Sequence, residues 1–193
     1  GTITGTANPT PGYRGMHSFT LAIDRYFVPA ENLVGGEAGQ GKGFYLQMGG
    51  FAAGRLQTGG RATGVGQASL EKACNYASDR RQFGKPLAEY GLTQYKIGRM
   101  ATHVMAGRHL SYAAARAMEK DERASMEAAM CKLFASDVAV WVSQEAQLIH
   151  GGWGYSEEDP IARFVADALV LPIFEGVKPI LELKVIARSL LGG

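Results

Sequence analysis

Ser125–His150 reads SMEAAMCKLFASDVAVWVSQEAQLIH, and this stretch decides the fold. Its Ala, Val and Leu residues leave few charged positions over about seven helical turns. It reads as a largely buried helix, and a helix apolar on most sides needs other helices packed around it. Gly151, Gly152, Trp153, Gly154 and Tyr155 follow, a glycine-rich stop.

The neighbouring segments supply the partners. Ile97, Met100 and Val104 lie at spacings that give one apolar face, predicting a second helix over Leu92–Glu119. Lys120, Asp121, Glu122 and Arg123 form a charged turn between the two. Further upstream a first long helix is predicted over Phe44–Arg80, broken by Gln82-Phe83-Gly84-Lys85-Pro86. Downstream, a short helix spans Pro160–Leu169 and a last one Pro179–Leu190, with Pro179 in a favourable first-turn position. The expected fold is mainly α: an antiparallel helical bundle over residues 41–193. Residues 1–40 differ, being dense in Gly, Pro and Thr. Ser18–Ile23 and Tyr26–Pro29 there read as strands, too few to close a sheet, as if left from a β-domain.

The first helix carries an unusual load of glycine: Gly49, Gly50, Gly54, Gly59, Gly60, Gly64 and Gly66. Each costs about 1 kcal/mol relative to Ala. Such density implies that another surface packs closely, either a neighbouring helix or a flat ligand. The pattern does not choose between them.

Composition narrows the function classes. A net charge of +2, from 20 basic and 18 acidic residues, argues against nucleic acid or a membrane surface as the main partner. No apolar run reaches the roughly 18 residues of a membrane span. Cys74 and Cys131 have no second Cys or His at ligand spacing, so no metal site is expected and both read as buried free thiols of a reducing compartment. The first residues lack the basic and apolar regions of a secretion leader, which suggests a cytoplasmic or mitochondrial-matrix protein. The chain does not begin with Met, the mark of a fragment or processed product.

Glu175 is the leading chemical candidate. It ends the apolar run Ala168-Leu169-Val170-Leu171-Pro172-Ile173-Phe174 and is followed by Gly176. Hydrocarbon around a carboxylate raises its pKa and suits it to general-base work near neutral pH. The plainer reading is an acidic residue favoured by the dipole of the following helix. Three other segments stand out. Arg55 sits among glycines in the first helix. Arg80, Arg81 and Lys85 cluster beside Phe83 at a helix end, where guanidinium forks suit phosphate and the ring suits stacking, or the cations simply complement the helix dipole. At Gly151 and Gly152, backbone amides can approach a planar or anionic ligand, or the glycines merely cap a helix. His150 reads as structural.

Taken in order, Val28-Pro29-Ala30-Glu31-Asn32-Leu33, Gly54-Arg55, Arg80-Arg81-Gln82-Phe83-Gly84-Lys85-Pro86, His150-Gly151-Gly152-Trp153-Gly154-Tyr155, Phe174-Glu175-Gly176 and Val185-Ile186-Ala187-Arg188 resemble the acyl-CoA dehydrogenase family. The likeness covers the family's C-terminal helical domain and the end of its middle β-domain. It implies FAD as cofactor, an acyl-CoA substrate, electron-transfer flavoprotein as electron acceptor and a homotetramer. It implies Glu175 as the base, because the position used by another branch of the family is Gly54 here. It assigns Arg80, Gln82, Phe83, Gly151 and Gly152 to the FAD of a neighbouring subunit, and Arg55 and Gly176 to the substrate side. Residues 9–16 and the Phe-Glu-Gly variant resemble methylsuccinyl-CoA-type members, which suggests a short or branched acyl-CoA. Departures are Gly91, Leu148, Ala166, Val177 and Pro179, which replace residues common in the family. The family's N-terminal domain and most of its β-domain have no counterpart in the chain, which is therefore expected to be inactive alone. Two other classes fit the residues: a non-catalytic helical assembly module, and an acyl-CoA oxidase or flavin monooxygenase relative.

Overall fold

A computed structural model describes residues 1–121 and 124–192. The chain divides into two compact units, Gly1–Phe51 and Ala52–Gly193.

The first unit holds an antiparallel hairpin of β1 (Thr2–Ala7) and β2 (Phe19–Asp24), with Thr2 opposite Asp24 and Ala7 opposite Phe19. Every residue of both strands is exposed. The strand expected at Tyr26–Pro29 is absent. Arg25 takes a left-handed φ of 44°, which turns the chain away after β2. Pro29 has no N–H to give a ladder, and it leads into a 3-10 turn at Ala30–Asn32. β1 had no signature in the sequence, since it alternates no buried face.

Helix α1 spans Gly43–Asp79, α2 Gly91–Lys120, α3 Ser125–His150 and α4 Ile161–Ala168. Of the charged turn read at Lys120–Arg123, residues 122 and 123 lie outside the described residues, while Lys120 closes α2. The C-terminal helix is α-helical at Lys178–Ile180, π-helical at Leu181–Ala187 and α-helical again at Arg188–Leu191. Among the described residues no helix is long and apolar enough to cross a membrane.

Close approaches fix the directions of the helices within the second unit. A Cβ on Gly59 of α1 would overlap Cys131 Sγ of α3 and would lie 3.6 Å from Ser111 Oγ of α2. Two turns later, a Cβ on Gly66 would meet Val104 of α2 at 3.3 Å and Ala139 of α3 at 4.0 Å. Advancing along α1 therefore means advancing along α3 and retreating along α2, which makes α2 antiparallel to both. Ala73, Met100, Val104, Val138, Val142, Ala146 and Ile161 form the core between them, and each larger side chain contributes about 1.5–3 kcal/mol on burial. A smaller cluster of Ala129, Leu133 and Leu181 fastens the C-terminal helix to the first half of α3. Asp159 ties α4 to α1: it accepts from the Ile161 N–H at 2.9 Å and pairs with Lys72 at 3.2 Å.

The glycines of α1 divide by role. Gly59 and Gly66 admit neighbouring helices, whereas Gly60 and Gly64 face open space. Cys131 is buried as expected, but Cys74 is only half-buried.

Candidate active site

The candidate residues gather in two groups, at opposite ends of the α1 segment in the second unit. The first surrounds Glu175. The chain leaves α4 through Leu171 and Pro172, and reverses at Glu175 and Gly176, both in left-handed conformations (φ 57° and 106°). Glycine accepts such a φ without strain, whereas a glutamate does not; the cost at Glu175 is about 1–3 kcal/mol.

Two cations hold the reversal. Arg55 Nε donates to the Glu175 carbonyl at 3.2 Å. Lys132 Nζ donates to the Pro172 carbonyl at 2.9 Å and the Gly176 carbonyl at 2.7 Å. Each bond from a charged donor contributes about 1.5–3 kcal/mol, so three of them outweigh the strain. Arg55 is buried, and Lys132 has no exposed surface at all. Burial lowers the guanidinium of Arg55 from its ordinary range, partly opposed by the charge of Glu175. Burial, reinforced by Arg55, lowers the Lys132 ammonium to about 8, against the pull of Asp137 and Glu175.

The Glu175 carboxylate lies over α1. A Cβ placed on Gly54 would sit 2.5 Å from Oε2 and 2.9 Å from Cδ. The absence of a side chain at position 54 is thus what lets the carboxylate rest against the helix. Glu175 is half-buried, and its charge acts on both Arg55 and Lys132. Its surroundings are therefore cationic and main-chain in character as well as apolar.

The second group gathers where α1 and α3 both end. Tyr76, Arg80, Gln82, Leu87, His150 and the glycines Gly151 and Gly152 line an open cavity of about 570 Å³. After α1 the chain makes a miniature hairpin, β3 (Arg81–Gln82) against β4 (Lys85–Pro86). Its two-residue turn, Phe83-Gly84, has positive φ at both positions (48° and 88°), as a type I′ turn demands. What reads in the sequence as a bare helix stop is a built structure. Phe83 does not line the cavity. It projects from the turn, 95% exposed.

On the other wall, α3 ends at Gly151 (φ 59°) and continues as a 3-10 turn over Gly151–Tyr155. Gln147 Nε2 donates to the Gly154 carbonyl at 2.9 Å and so braces this turn. His150 stacks on Tyr76 with centroids 4.2 Å apart, and its Nδ1 meets the Ala146 carbonyl at 2.7 Å. That contact makes Nδ1 the donor and leaves Nε2 an acceptor, buried and without a partner among the described residues.

Residues 41–191 match the model of the acyl-CoA dehydrogenase C-terminal domain. The chain belongs to the acyl-CoA dehydrogenase family. It is 42% identical over 189 residues to a (2S)-methylsuccinyl-CoA dehydrogenase from Cereibacter sphaeroides, covering 98% of this chain and 34% of that protein. The butyryl-CoA dehydrogenase structure from Megasphaera elsdenii superposes with a TM-score of 0.92 at 37% identity, over 98% of this chain and 49% of the other. A chain in the structure of an electron-transferring flavoprotein of Acidaminococcus fermentans superposes with a TM-score of 0.94 at 32% identity, over 99% and 50%. The chain thus spans between a third and a half of the length of these relatives and neighbours.

Within the family pattern, the departures read from sequence take concrete form. Leu148, standing where Gln is common, is 65% exposed, and Gln147 is turned to the Gly154 carbonyl. Lys132 is the residue that sequence reasoning missed. Its neighbours one turn away, Ala128, Ala129, Ala135 and Ser136, are all buried, so Lys132 faces inward with them; the sequence shows only that these neighbours are small and uncharged.

Proposed function

We propose that this chain supplies the C-terminal part of an FAD-dependent acyl-CoA dehydrogenase acting on a short or branched acyl-CoA. Glu175 serves as the base. It takes the proton from the α carbon of the thioester, the β carbon gives up a hydride, and the electron pair left at the α carbon forms the new Cα=Cβ bond. FAD, when bound, would supply the hydride acceptor, and electron-transfer flavoprotein the onward route for the electrons. The observation that carries the reading is the Glu175 carboxylate lying over the bare backbone of Gly54, on a loop clamped by Arg55 and Lys132. A base must be held within reach of its proton, and this one is fixed by its own main chain. Arg55 and Gly176 border the same place and are assigned to the substrate side.

The cavity at the far end of α1 fits a dinucleotide. The guanidinium of Arg80 and the amide of Gln82 suit pyrophosphate and ribose oxygens. Gly151 and Gly152 allow close main-chain approach, and His150 Nε2 is a buried polar atom without a partner among the described residues. Arg55 and Arg80 are separated by about 37 Å of helix, longer than an extended FAD. A flavin serving Glu175 therefore does not reach the Arg80 cavity of the same chain. This supports assigning Arg80, Gln82, Gly151, Gly152 and the projecting Phe83 to the FAD of a neighbouring copy in a homotetramer.

The test is Glu175→Gln in the flavin-loaded enzyme that contains this chain. Substrate-driven bleaching of the flavin is expected to slow on the order of 1,000-fold, with acyl-CoA still bound. Bleaching at the unaltered rate would remove Glu175 from the reaction.

A further inference from the structure

A buried ammonium that forms no ion pair is an expensive feature, and a helix has no need of one. Among the described residues no ion pair involves Lys132. Its bonds go to main-chain oxygens on either side of Glu175: Pro172, three residues before, and Gly176, one after. Arg55 takes the carbonyl of Glu175 itself. The three acceptors span the reversal in which Glu175 adopts its left-handed φ of 57°. Without the ammonium, two of these carbonyls would be buried near α3 with no donor, and the loop would relax toward unstrained dihedrals, carrying the carboxylate off Gly54.

We propose that Lys132 is a positioning residue for the catalytic base: its ammonium, by binding the carbonyls of Pro172 and Gly176, sets the place of the Glu175 carboxylate against α1. The inference rests on the reading of Glu175 as base. Lys132 touches neither substrate nor cofactor and acts through the loop alone.

The charged groups that act on Lys132 come from every element packed around it. Arg55 faces it from α1, Asp137 from its own helix, Glu175 from the loop and Lys178 from the C-terminal helix. Asp137 and Lys178 are paired with each other at 2.6 Å. Neutral lysine keeps only two N–H groups and loses the charge that strengthens both bonds. The loop is therefore held while Lys132 is protonated and loosens as it loses its proton, near pH 8. Global stability moves the other way. The folded pKa lies below the unfolded value of 10.5, so between about 8 and 10.5 the unfolded chain binds the extra proton, and this group adds stability as pH rises. A purely structural lysine would follow the stability trend; a positioning one lowers the rate while the fold strengthens.

The experiment measures flavin bleaching by butyryl-CoA from pH 6.5 to 9.5 in the flavin-loaded enzyme containing this chain, for wild type, Lys132→Met and Glu175→Gln. Butyryl-CoA affinity and circular dichroism are followed in parallel. Wild type is expected to lose rate through an alkaline limb near pH 8. Folded K132M should bleach on the order of 100-fold more slowly, with acyl-CoA affinity within twofold and no such limb. A folded K132M at the wild-type rate, or a slowed one whose profile still parallels wild type, overturns the proposal. If K132M does not fold, the wild-type profile decides: an alkaline limb with unchanged circular dichroism supports it, and a flat profile overturns it. E175Q bleaching at the wild-type rate would instead dismiss the base, separately from Lys132.

Discussion

The two ends of the α1 segment in the helical unit solve opposite problems. Around Glu175 the polar groups are spent on one another: Arg55 and Lys132 satisfy three carbonyls, and the carboxylate rests on a helix stripped of its side chain at Gly54. Around Arg80 they face outward: a strained turn raises Phe83 to 95% exposure, and His150 Nε2 has no protein partner among the described residues. On the proposed function, the difference separates preorganisation from recognition. A group that must move a proton is fixed by its own chain, whereas groups that bind a large ligand stay available to it.

Substitutions can break each side of this contrast. The largest effect is expected from Gly54→Ala. The new methyl would lie 2.5 Å from Glu175 Oε2, so the carboxylate must shift, and flavin bleaching should slow on the order of 100-fold. Helix propensity meanwhile gains about 1 kcal/mol, so thermal unfolding should show little loss. Next comes Gly59→Ala, whose methyl would overlap Cys131 Sγ in the bundle interior. It should cost about 1–3 kcal/mol of stability, read as a lower Tm, with the catalytic rate of the folded fraction unchanged. Arg80→Ala should act only at the outward end, lowering FAD retention about tenfold in a flavin-release assay, as expected for one charged hydrogen bond. The smallest effect on folding is expected from Phe83→Asn. Asn tolerates a positive φ, so the Tm should hold or rise slightly while FAD affinity falls. An Arg80 variant that slowed proton abstraction with FAD saturating would erase the division between the two ends.

Most of the bundle was legible because its signals are local. The predicted Ser125–His150 coincides with α3, where an apolar run meets a glycine stop, and α1, α2 and α4 begin and end within one residue of expectation. The strands were less so. The stretch read at Ser18–Ile23 is β2 to within a residue, but β1 has no buried face to mark it, and the apolar Tyr26–Pro29 imitated a strand without pairing. Arg80, Gln82, Gly151 and Gly152 come together as anticipated, since each sits at a helix end that punctuation residues betray. Phe83 stands apart from them because its turn type, a backbone property, aims it outward. Lys132 escaped notice because its partners are carbonyls, which every residue possesses and no sequence pattern advertises.

The clamp on the loop also bears on how such a protein can diversify. Lys132 grips peptide oxygens and is indifferent to what side chains the loop carries. Ile173 and Val177, both exposed, can therefore be exchanged without disturbing the clamp beneath them. The outward face of the loop and the clamp beneath it become separately heritable, written in neighbouring residues yet free to change at different speeds.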